Sequence, residues 1–343
     1  MNSIRSHWPA LLMFVIVFFI MIRDTIRYLN RPSIAVISDN KPDYWIAPSL
    51  FSDDAEGFDR RELVYGEKLI ANTSKYLGPM GEVSQVTNGM NCQNCHLDAG
   101  TKPFGNNYSA VFSTYPKLRE RSGTIETIYK RVNDCFERSL NGTALDSNSR
   151  EMKAIYQYLK WLGKDVKKGE KPKGSGIREL PYLTRAADTG KGKQVFISKC
   201  QTCHGPNGEG LKNIDGNGYV YPPLWGEHSF STGAGLYRIS RLAGYVHDNM
   251  PFEQSSHQSP LLTVEECWDV AAFVNSQPRP QKDLSRDWPD ISKKPVDHPF
   301  GPYADGFNEH QHKYGPFQPI LEARKNITAA TASGNKSIAP KLK

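Results

Sequence analysis

The chain has 343 residues, of which 38% are hydrophobic, 28 are glycine and 23 are proline, and its formal net charge is +7. This length suits two modest domains with extensions, and the composition excludes a repeat protein or a disordered chain. The sequence contains no nucleic-acid-binding motif, so we expect the mild positive charge to attract anionic substrates or an acidic partner.

An uninterrupted apolar run, residues 8–22, lies near the N-terminus between Arg5 and Arg23. As a helix, this run would span roughly 22 Å, less than the ~30 Å hydrocarbon core of a bilayer. Residues 1–30 are therefore predicted to be a signal peptide or a short membrane anchor. The lack of a small-residue cleavage site favours an uncleaved anchor, whereas arginines on the outer side of the run oppose that orientation.

A first helical unit is predicted over residues 61–165. The preceding residues, 31–60, are aperiodic and suit a linker or a segment that wraps the surface. The last helix of the unit is predicted from apolar residues at spacings of three and four, which are Met152, Ile155, Tyr156, Leu159 and Leu162. Residues 166–184 are rich in lysine, glycine and proline, which indicates an interdomain linker.

A second helical unit is predicted over residues 185–280. Its closing helix begins with a capping box formed by Thr263 and Glu266. The apolar positions of this helix are Val264, Cys267, Trp268, Ala271 and Val274. Residues 281–343 are predicted to be an irregular extension that ends in a solvated basic tail. Strand signals are sparse, so the predicted fold class is mostly α, with two domains joined by a linker and an N-terminal hydrophobic helix.

Two C-x-x-C-H motifs, CQNCH at residues 92–96 and CQTCH at residues 200–204, carry the strongest chemical signal. This is the attachment pattern of c-type haem, in which two cysteines form thioethers and the adjacent histidine binds the iron. The motifs predict two covalently bound haem c groups, each in its own cytochrome c-like domain. The predicted attachment and iron-binding residues are Cys92, Cys95, His96, Cys200, Cys203 and His204.

A zinc site or a redox dithiol is the alternative interpretation of these motifs. Paired zinc-binding C-x-x-C halves are usually about 15–20 residues apart, whereas 104 residues separate Cys95 from Cys200. A redox dithiol needs no following histidine, and no βαβ pattern surrounds either motif. Haem attachment is therefore the favoured interpretation.

The second unit looks like a class I cytochrome c around its haem motif. The segment NMPF, residues 249–252, places Met250 46 residues after His204, enough chain for its thioether to reach the opposite haem face. Methionine ligation raises the reduction potential, which suits a haem through which electrons leave. The alternative is that Met250 is a core residue. Three histidines are also in range, although surface or haem-propionate roles suit them better: His228, His247 and His257.

For the first haem, the candidate second ligands are Met80, Met90, Met152 and Cys135. Met90 is too close to the haem motif to reach the far face of its own haem, and Met152 lies on an apolar helix stripe. A thiolate at Cys135 would hold the iron ferric and lower its potential. Coordination would also explain how a thiol persists in an oxidising compartment. The alternatives for Cys135 are a disulfide with Cys267 and an inert thiol.

The segments NGMNCQNCHLDAGTKPFGNNY, residues 88–108, and NDCFERSLNG, residues 133–142, closely resemble the thiosulfate dehydrogenases, dihaem c-type cytochromes of the periplasm. The resemblance covers both haem units, roughly residues 60–280. It implies that His96 and Cys135 ligate the first haem iron. It also implies an active site in which the cysteine is surrounded by Phe104, Arg121, Arg131 and Ser139.

The reaction that the resemblance implies is the oxidation of two thiosulfate ions to tetrathionate with release of two electrons, or its reverse. Both thiosulfates are dianions, and Arg121 and Arg131 would offset their repulsion through bidentate hydrogen bonds. Ser139 lies four residues after Cys135, so on a helix both side chains face the same side. The alternatives are haem-propionate binding for the arginines and capping or solvent contact for the serine.

One position departs from part of the family. Asn249 stands where some members carry a lysine beside the methionine ligand, so exchange of Met250 for lysine is not expected here. The resemblance associates this form with enzymes that work well in the reductive direction. Two haems suit a two-electron reaction in which the second haem exchanges electrons with an external c-type cytochrome. Two competing interpretations are a membrane-tethered dihaem electron relay without its own substrate and a dihaem peroxidase. The relay would not explain Cys135 or the arginines, and the peroxidase needs an open or openable sixth coordination site on a haem iron.

Overall fold

The structure, a computed structural model, describes residues 42–52 and 57–332. The predicted N-terminal segment 1–30, with its apolar run, and the end of the basic tail lie outside the described residues. Within the part that is described, no helix is both long enough and apolar enough to cross a membrane.

The first half of the described chain is helical apart from one small hairpin. Its α-helices are α1 Arg60–Ala71, α2 Thr73–Leu77, α3 Leu97–Gly100, α4 Val111–Thr114, α5 Ile128–Asp134 and α6 Arg150–Leu162. A 3-10 turn, Cys92–Asn94, precedes α3, and a π-helix, Cys135–Ser139, continues α5. Strands β1 Lys117–Arg119 and β2 Thr124–Glu126 pair antiparallel, with Leu118 opposite Ile125.

The second half of the described chain is also helical apart from one small pair of strands. Its elements are α7 Thr189–Lys199, α8 Gln201–His204, β3 Leu211–Lys212, β4 Tyr219–Tyr221, α9 Ile239–Asn249, α10 Val264–Ser276, α11 Glu309–Tyr314 and α12 Gln318–Ala332. The 3-10 turns are Gly235–Tyr237 and Ile291–Lys293. Strands β3 and β4 pair antiparallel. The mostly helical fold class is confirmed.

The first core forms where α1 packs on α6. The predicted stripe of α6 is confirmed, because Met152, Ile155, Leu159 and Leu162 are buried and Tyr156 is half-buried. The two helices come close because α1 has a glycine at position 66, where an added Cβ would lie 2.3 Å from the Ala154 carbonyl oxygen. The periodicity in the sequence therefore predicted the buried face correctly.

The second core forms between α7 and α10. The predicted capping box at the start of α10 is confirmed, since the Thr263 hydroxyl accepts from the Glu266 amide and the Glu266 carboxylate accepts from the Thr263 amide. The predicted apolar positions Cys267, Trp268, Ala271 and Val274 are buried, and Val264 is partly buried against the same core.

The C-terminal extension contains the helices α11 and α12, where the sequence predicted irregular structure and a solvated tail. Phe317 and Ile320 are buried in the second core, and Val296 joins them there. Asp305 accepts hydrogen bonds from His312 Nε2 at 2.9 Å and from Arg324 Nε at 2.7 Å. The extension is helical there because its apolar residues pack on the second core, a long-range contact that the local sequence pattern does not indicate.

A third cluster of buried residues joins the two haem-motif units. We call it the inter-unit cluster, and its members are Leu97, Phe230, Ala234, Leu236, Tyr237 and Tyr245, with Cys95 and Met250 packed against it. Helix α9 reaches the first unit through two hydrogen bonds. The Tyr245 hydroxyl donates to Asn94 O at 2.8 Å, and Asn249 Nδ2 donates to Phe104 O at 3.1 Å.

Replacing Gly192 with alanine is expected to destabilise the second unit. An added Cβ there would lie 1.9 Å from the Asp269 carbonyl oxygen of α10, so the two helices must separate, which costs about 1–3 kcal/mol. Gly190→Ala on the same helix is the control, since its Cβ would meet only the movable Asp188 carboxylate at 3.1 Å. Thermal unfolding followed by circular dichroism should show a lower melting temperature for Gly192→Ala alone; equal melting temperatures for the two variants would contradict this packing.

Candidate functional site

A cavity of about 900 Å³ lies beside the first C-x-x-C-H motif. Its size is near the upper end of the range usual for cofactor and ligand pockets. Side chains from the haem motif, from the β1–β2 hairpin, from α5 with its π-helix, and from the C-terminal extension line it. Those that carry potential chemistry are Cys92, Cys95, His96, Arg121, Arg131, Cys135, Arg138, Ser139, Lys293 and His298.

The histidine of the first motif is prepared to bind a metal through one nitrogen. His96 Nδ1 lies 2.6 Å from Asn106 O, and because a carbonyl only accepts, Nδ1 must carry the proton. Burial lowers the pKa of His96 to about 4, so the ring is neutral and Nε2 keeps its lone pair. The ring also stacks on Tyr108 at 4.4 Å. With Cys92 and Cys95 on the same cavity, the residues fit a haem c group held by two thioethers and one imidazole.

Cys135 faces the same cavity, at the point where α5 passes into the π-helix. Single π-turns within helices are frequent at functional sites because they shift side chains out of the regular helical register. Arg131, one turn earlier, donates from Nη1 to Cys135 Sγ at 3.2 Å. The sulfur in turn raises the pKa of Arg131 above its usual value, so the guanidinium stays charged.

The structure bears on the alternatives for Cys135. No disulfide links any of the six cysteines, all of which lie in the described part, and Cys267 is fully buried in the second core. Met90 and Met152 are buried in the first core, and Met80 is 57% exposed. None of these methionines lines the cavity among the residues described there. A ligand role for Cys135 stays a prediction.

Arg121 lines the cavity, but its guanidinium is already paired. Its Nε and Nη2 atoms each lie 2.7 Å from Asp287 Oδ2. Arg138, which the sequence did not single out, donates from Nη1 and Nη2 to the two oxygens of the same carboxylate at 2.8 Å. Burial and the nearby Arg138 charge lower the pKa of Arg121.

The other two predicted site residues have different positions. Ser139, the last residue of the π-helix, lines the cavity with Cys135. Phe104 is outside the described lining: its ring lies 4.8 Å from that of His257, and the Arg178 guanidinium lies 4.7 Å above it. The same cavity is therefore lined by Arg121, Arg131, Cys135 and Ser139, whereas Phe104 lies outside its described lining. A catalytic role for each of the five stays a prediction.

Positive charge dominates the wall of the cavity. Among the described residues that line it, nine are cationic and three are acidic, the latter being Glu120, Asp134 and Glu179. The cationic residues are Lys117, Arg119, Arg121, Arg131, Arg138, Lys171, Arg238, Arg241 and Lys293. Such a concentration of one sign in a partly enclosed space attracts anions and raises their local concentration.

The sequence analysis missed the contribution of the extension to this cavity. Trp288, Lys293 and His298 line it, and Asp287 holds two of its arginines. Burial lowers the pKa of His298 to about 4, so its imidazole is neutral at pH 7. No local pattern in the extension marks these residues, since their function depends on packing against elements more than a hundred residues away.

His204 of the second motif is held in the same way as His96 of the first. His204 Nδ1 lies 2.8 Å from Pro222 O, the side chain is buried, and burial lowers its pKa. These contacts fit a second haem c bound through Nε2 and the thioethers of Cys200 and Cys203. Met250 follows α9 directly and is half-buried beside the inter-unit cluster. Its role as a ligand stays a prediction.

The three histidines in sequence range of the second motif differ in their surroundings. His228 is exposed, His247 Nδ1 lies 2.7 Å from Asp248 Oδ1, and the His257 ring contacts Tyr44 and Phe104. Among the described residues there is no group of three or more histidine, cysteine or acidic side chains arranged to hold a metal ion.

Two protein families match the chain, one at each haem motif. Residues 82–167 match the family described as "SoxA/TsdA, cytochrome c domain", and residues 190–278 match the family described as "Cytochrome c". Each match contains one C-x-x-C-H motif. The chain therefore has two cytochrome c domains, which correspond to two covalently bound haem c groups.

Several whole proteins are similar to this chain. The thiosulfate dehydrogenase of Psychrobacter arcticus is 41% identical over 207 residues, which is 60% of this chain and 62% of the relative. The thiosulfate dehydrogenase of Allochromatium vinosum is 35% identical over 238 residues, covering 68% of this chain and 83% of the relative.

A solved structure of a thiosulfate dehydrogenase is also similar to this chain. Thiosulfate dehydrogenase (TsdBA) from Marichromatium purpuratum superimposes with a TM-score of 0.62 at 29% identity, covering 74% of this chain and 52% of that one. The chain thus spans about three fifths of the Psychrobacter relative and about half of the Marichromatium chain. From the extent of these matches, together with the paired haem motifs, we conclude that the chain belongs to the thiosulfate dehydrogenase family.

Proposed function

We propose that this protein is a dihaem oxidoreductase that interconverts two thiosulfate ions and tetrathionate with exchange of two electrons. One observation carries the proposal: Cys135 Sγ and the Arg131 guanidinium, 3.2 Å apart, share a cationic cavity with the first haem motif. A sulfur nucleophile, a fixed cation and a one-electron carrier are the components that sulfur–sulfur bond chemistry between anions requires. The names of the relatives support the same substrate.

The cationic wall of the cavity offsets the electrostatic repulsion between the two reacting anions. Two dianions must approach within bonding distance, and their repulsion is strong in a space from which water is partly excluded. Among the described residues, none bonds to Nε or Nη2 of Arg131, which bonds to Cys135 through Nη1, or to Nη1 of Arg121, which bonds to Asp287 through Nε and Nη2. These donors can bind sulfonate oxygens, and Ser139 can add a hydroxyl donor.

Cys135 has a covalent role in the proposed mechanism. In the reductive direction its thiolate attacks an inner sulfur of tetrathionate, the central S–S bond breaks, and thiosulfate leaves with the electron pair. The product is a thiosulfonate bound to Cys135 through a new S–S bond. Two electrons then cleave that bond, which releases the second thiosulfate and restores the thiolate. Oxidation of thiosulfate follows the same steps in reverse.

Haem c groups at the two motifs would supply and accept these electrons one at a time, with His96 and Cys135 as proposed ligands of the first iron and His204 and Met250 of the second. The chain positions the two haem motifs through helix α9. The bonds from Tyr245 to Asn94 and from Asn249 to Phe104 support short electron transfer between the domains. An external c-type cytochrome is the proposed partner of the second haem.

The proposal extends to domain organisation and location. The catalytic domain is residues 61–165 and the electron-transfer domain is residues 185–280, and the separate first and second cores support this division. We also propose a periplasmic location with an anchor at residues 8–22. The apolar run supports the anchor, and the covalent attachment of haem c, which suits an oxidising compartment, supports the location. The run itself lies outside the described residues.

An assay of the purified dihaem protein tests the proposed function. Oxidised protein should become reduced on addition of thiosulfate, and reduced protein should become oxidised on addition of tetrathionate, each followed by the haem absorption bands. The reductive reaction should be fast, since Asn249 offers no lysine to displace Met250. A protein whose haems respond to a partner cytochrome but to neither sulfur anion would instead be an electron relay.

A further inference from the structure

Asp287 pairs with two arginines that line the cavity, Arg121 and Arg138, and it lies outside both matched families. Its carboxylate accepts from Arg121 through Oδ2 and from Arg138 through both oxygens, at 2.7 and 2.8 Å. The Asp287 side chain is only 7% exposed, and each arginine is about one fifth exposed. Hydrogen bonds this short between buried ionised groups fix both partners in one geometry.

The Asp287 carboxylate and the two arginines are held together by charge. Two guanidinium groups that contact one carboxylate are close enough to repel each other, and burial strengthens that repulsion. Burial alone would raise the pKa of Asp287, but the hydrogen bonds from Arg138 and the charge of Arg121 hold it below its usual range, so the carboxylate stays ionised. Without this negative charge, the two cations would separate.

The ion pairs with Asp287 occupy different hydrogen-bond donors on the two arginines. Arg138 uses one N–H of each terminal nitrogen on Asp287, so the end of its guanidinium group is already occupied by the carboxylate. Arg121 uses Nε and one terminal nitrogen and keeps the other for the cavity. Arg138 therefore acts as a support, while Arg121 presents the N–H groups of its second terminal nitrogen to a bound anion.

The backbone around Asp287 is also fixed against the first domain. The Trp288 amide donates to Arg121 O at 2.7 Å, so the same segment holds both the main chain and the side chain of Arg121. Trp288 has φ of +60°, an unfavourable conformation for a bulky residue. An added Cβ at Gly123 would lie 2.6 Å from Pro289 Cγ, so the segment sits directly on the hairpin turn.

We propose that Asp287 is a positioning residue that orients Arg121 toward the substrate anion, so that the C-terminal extension completes the thiosulfate and tetrathionate site. This inference rests on the proposed function of the cavity. It assigns the extension a part in substrate binding, and it explains why a carboxylate is paired with two arginines of a wall that must attract dianions.

The test compares Asp287→Asn, Asp287→Glu and wild type, each with both haems attached. Tetrathionate binding is measured by isothermal titration calorimetry on the fully oxidised proteins in a Cys135→Ala background, in which neither turnover nor the covalent adduct can form. Thiosulfate oxidation is measured in parallel for kcat and KM on the proteins that keep Cys135. We expect Asp287→Asn to weaken tetrathionate binding and to lower kcat/KM by about 10²-fold, chiefly through KM, because a displaced Arg121 loses its alignment. Asp287→Glu should recover part of both.

Two controls separate positioning from general damage. Asp290→Asn removes an exposed carboxylate that bonds only locally to Ser292 in the same segment, and it should behave as wild type. In an Arg121→Gln background, Asp287→Asn should have little further effect, because its action passes through Arg121. Additive losses, or an unchanged KM with a lowered melting temperature, would overturn the inference. Tetrathionate binding that depends on Asp287, together with no turnover in the proteins that keep Cys135, would instead overturn only the proposed reaction.

Discussion

Cys135→Ala is expected to abolish thiosulfate oxidation and tetrathionate reduction while both haems remain covalently attached. The substitution removes the sulfur that contacts Arg131 at 3.2 Å and that we propose as nucleophile and iron ligand. Loss of a catalytic nucleophile lowers kcat by roughly 10⁴-fold or more in well-studied enzymes. The attachment cysteines of both motifs are untouched, so haem stoichiometry should stay at two. The measurement is steady-state turnover with each sulfur anion, together with the absorption spectrum.

Cys267→Ala is the matched control for this variant. Cys267 is also a free thiol, but it is fully buried in the second core, so its loss should leave turnover unchanged. Wild-type protein treated with tetrathionate should carry a thiosulfonate adduct on the peptide that contains Cys135, detectable by mass spectrometry. A Cys135→Ala protein that still turns over thiosulfate would refute the assignment of the site.

Arg131→Gln is expected to have the second largest effect. Arg131 donates a hydrogen bond to the Cys135 sulfur at 3.2 Å, and its charge offsets the charge of an incoming anion. Removing one preorganised donor from an anion site lowers kcat by about 10²–10³-fold. Losing the cation should also lower the reduction potential of the first haem, because positive charge favours the reduced state. Turnover and a redox titration measure the two effects.

Two further variants define what Arg131 supplies. Arg131→Lys keeps the charge without the planar fork, so it should retain more activity than Arg131→Gln but less than wild type. Arg150→Gln removes an exposed arginine that pairs with Glu62 on the outside of the first domain, and it should leave both turnover and potential unchanged. If Arg131→Gln had the wild-type KM, kcat and potential, Arg131 would be a structural residue only.

Features encoded by neighbouring residues could be predicted from the sequence. The capping box of Thr263 and Glu266 and the buried stripe of α6 were predicted correctly because both are properties of a single helix. The resemblance brought Arg121, Arg131 and Ser139 into the candidate site with Cys135, and all four line one cavity. Phe104, from the same resemblance, lies outside the described lining and against Arg178.

The sequence by itself determined the haem chemistry of this protein, because each C-x-x-C-H motif carries both attachment points and the iron-binding histidine within five residues. Only the tertiary structure decided which charges meet at the cavity. Asp287 lies 166 residues from Arg121 along the chain, and the extension that carries it was expected to be irregular. Local patterns cannot encode such a contact, since it exists only after the extension packs its apolar residues on the second core and crosses to the first domain.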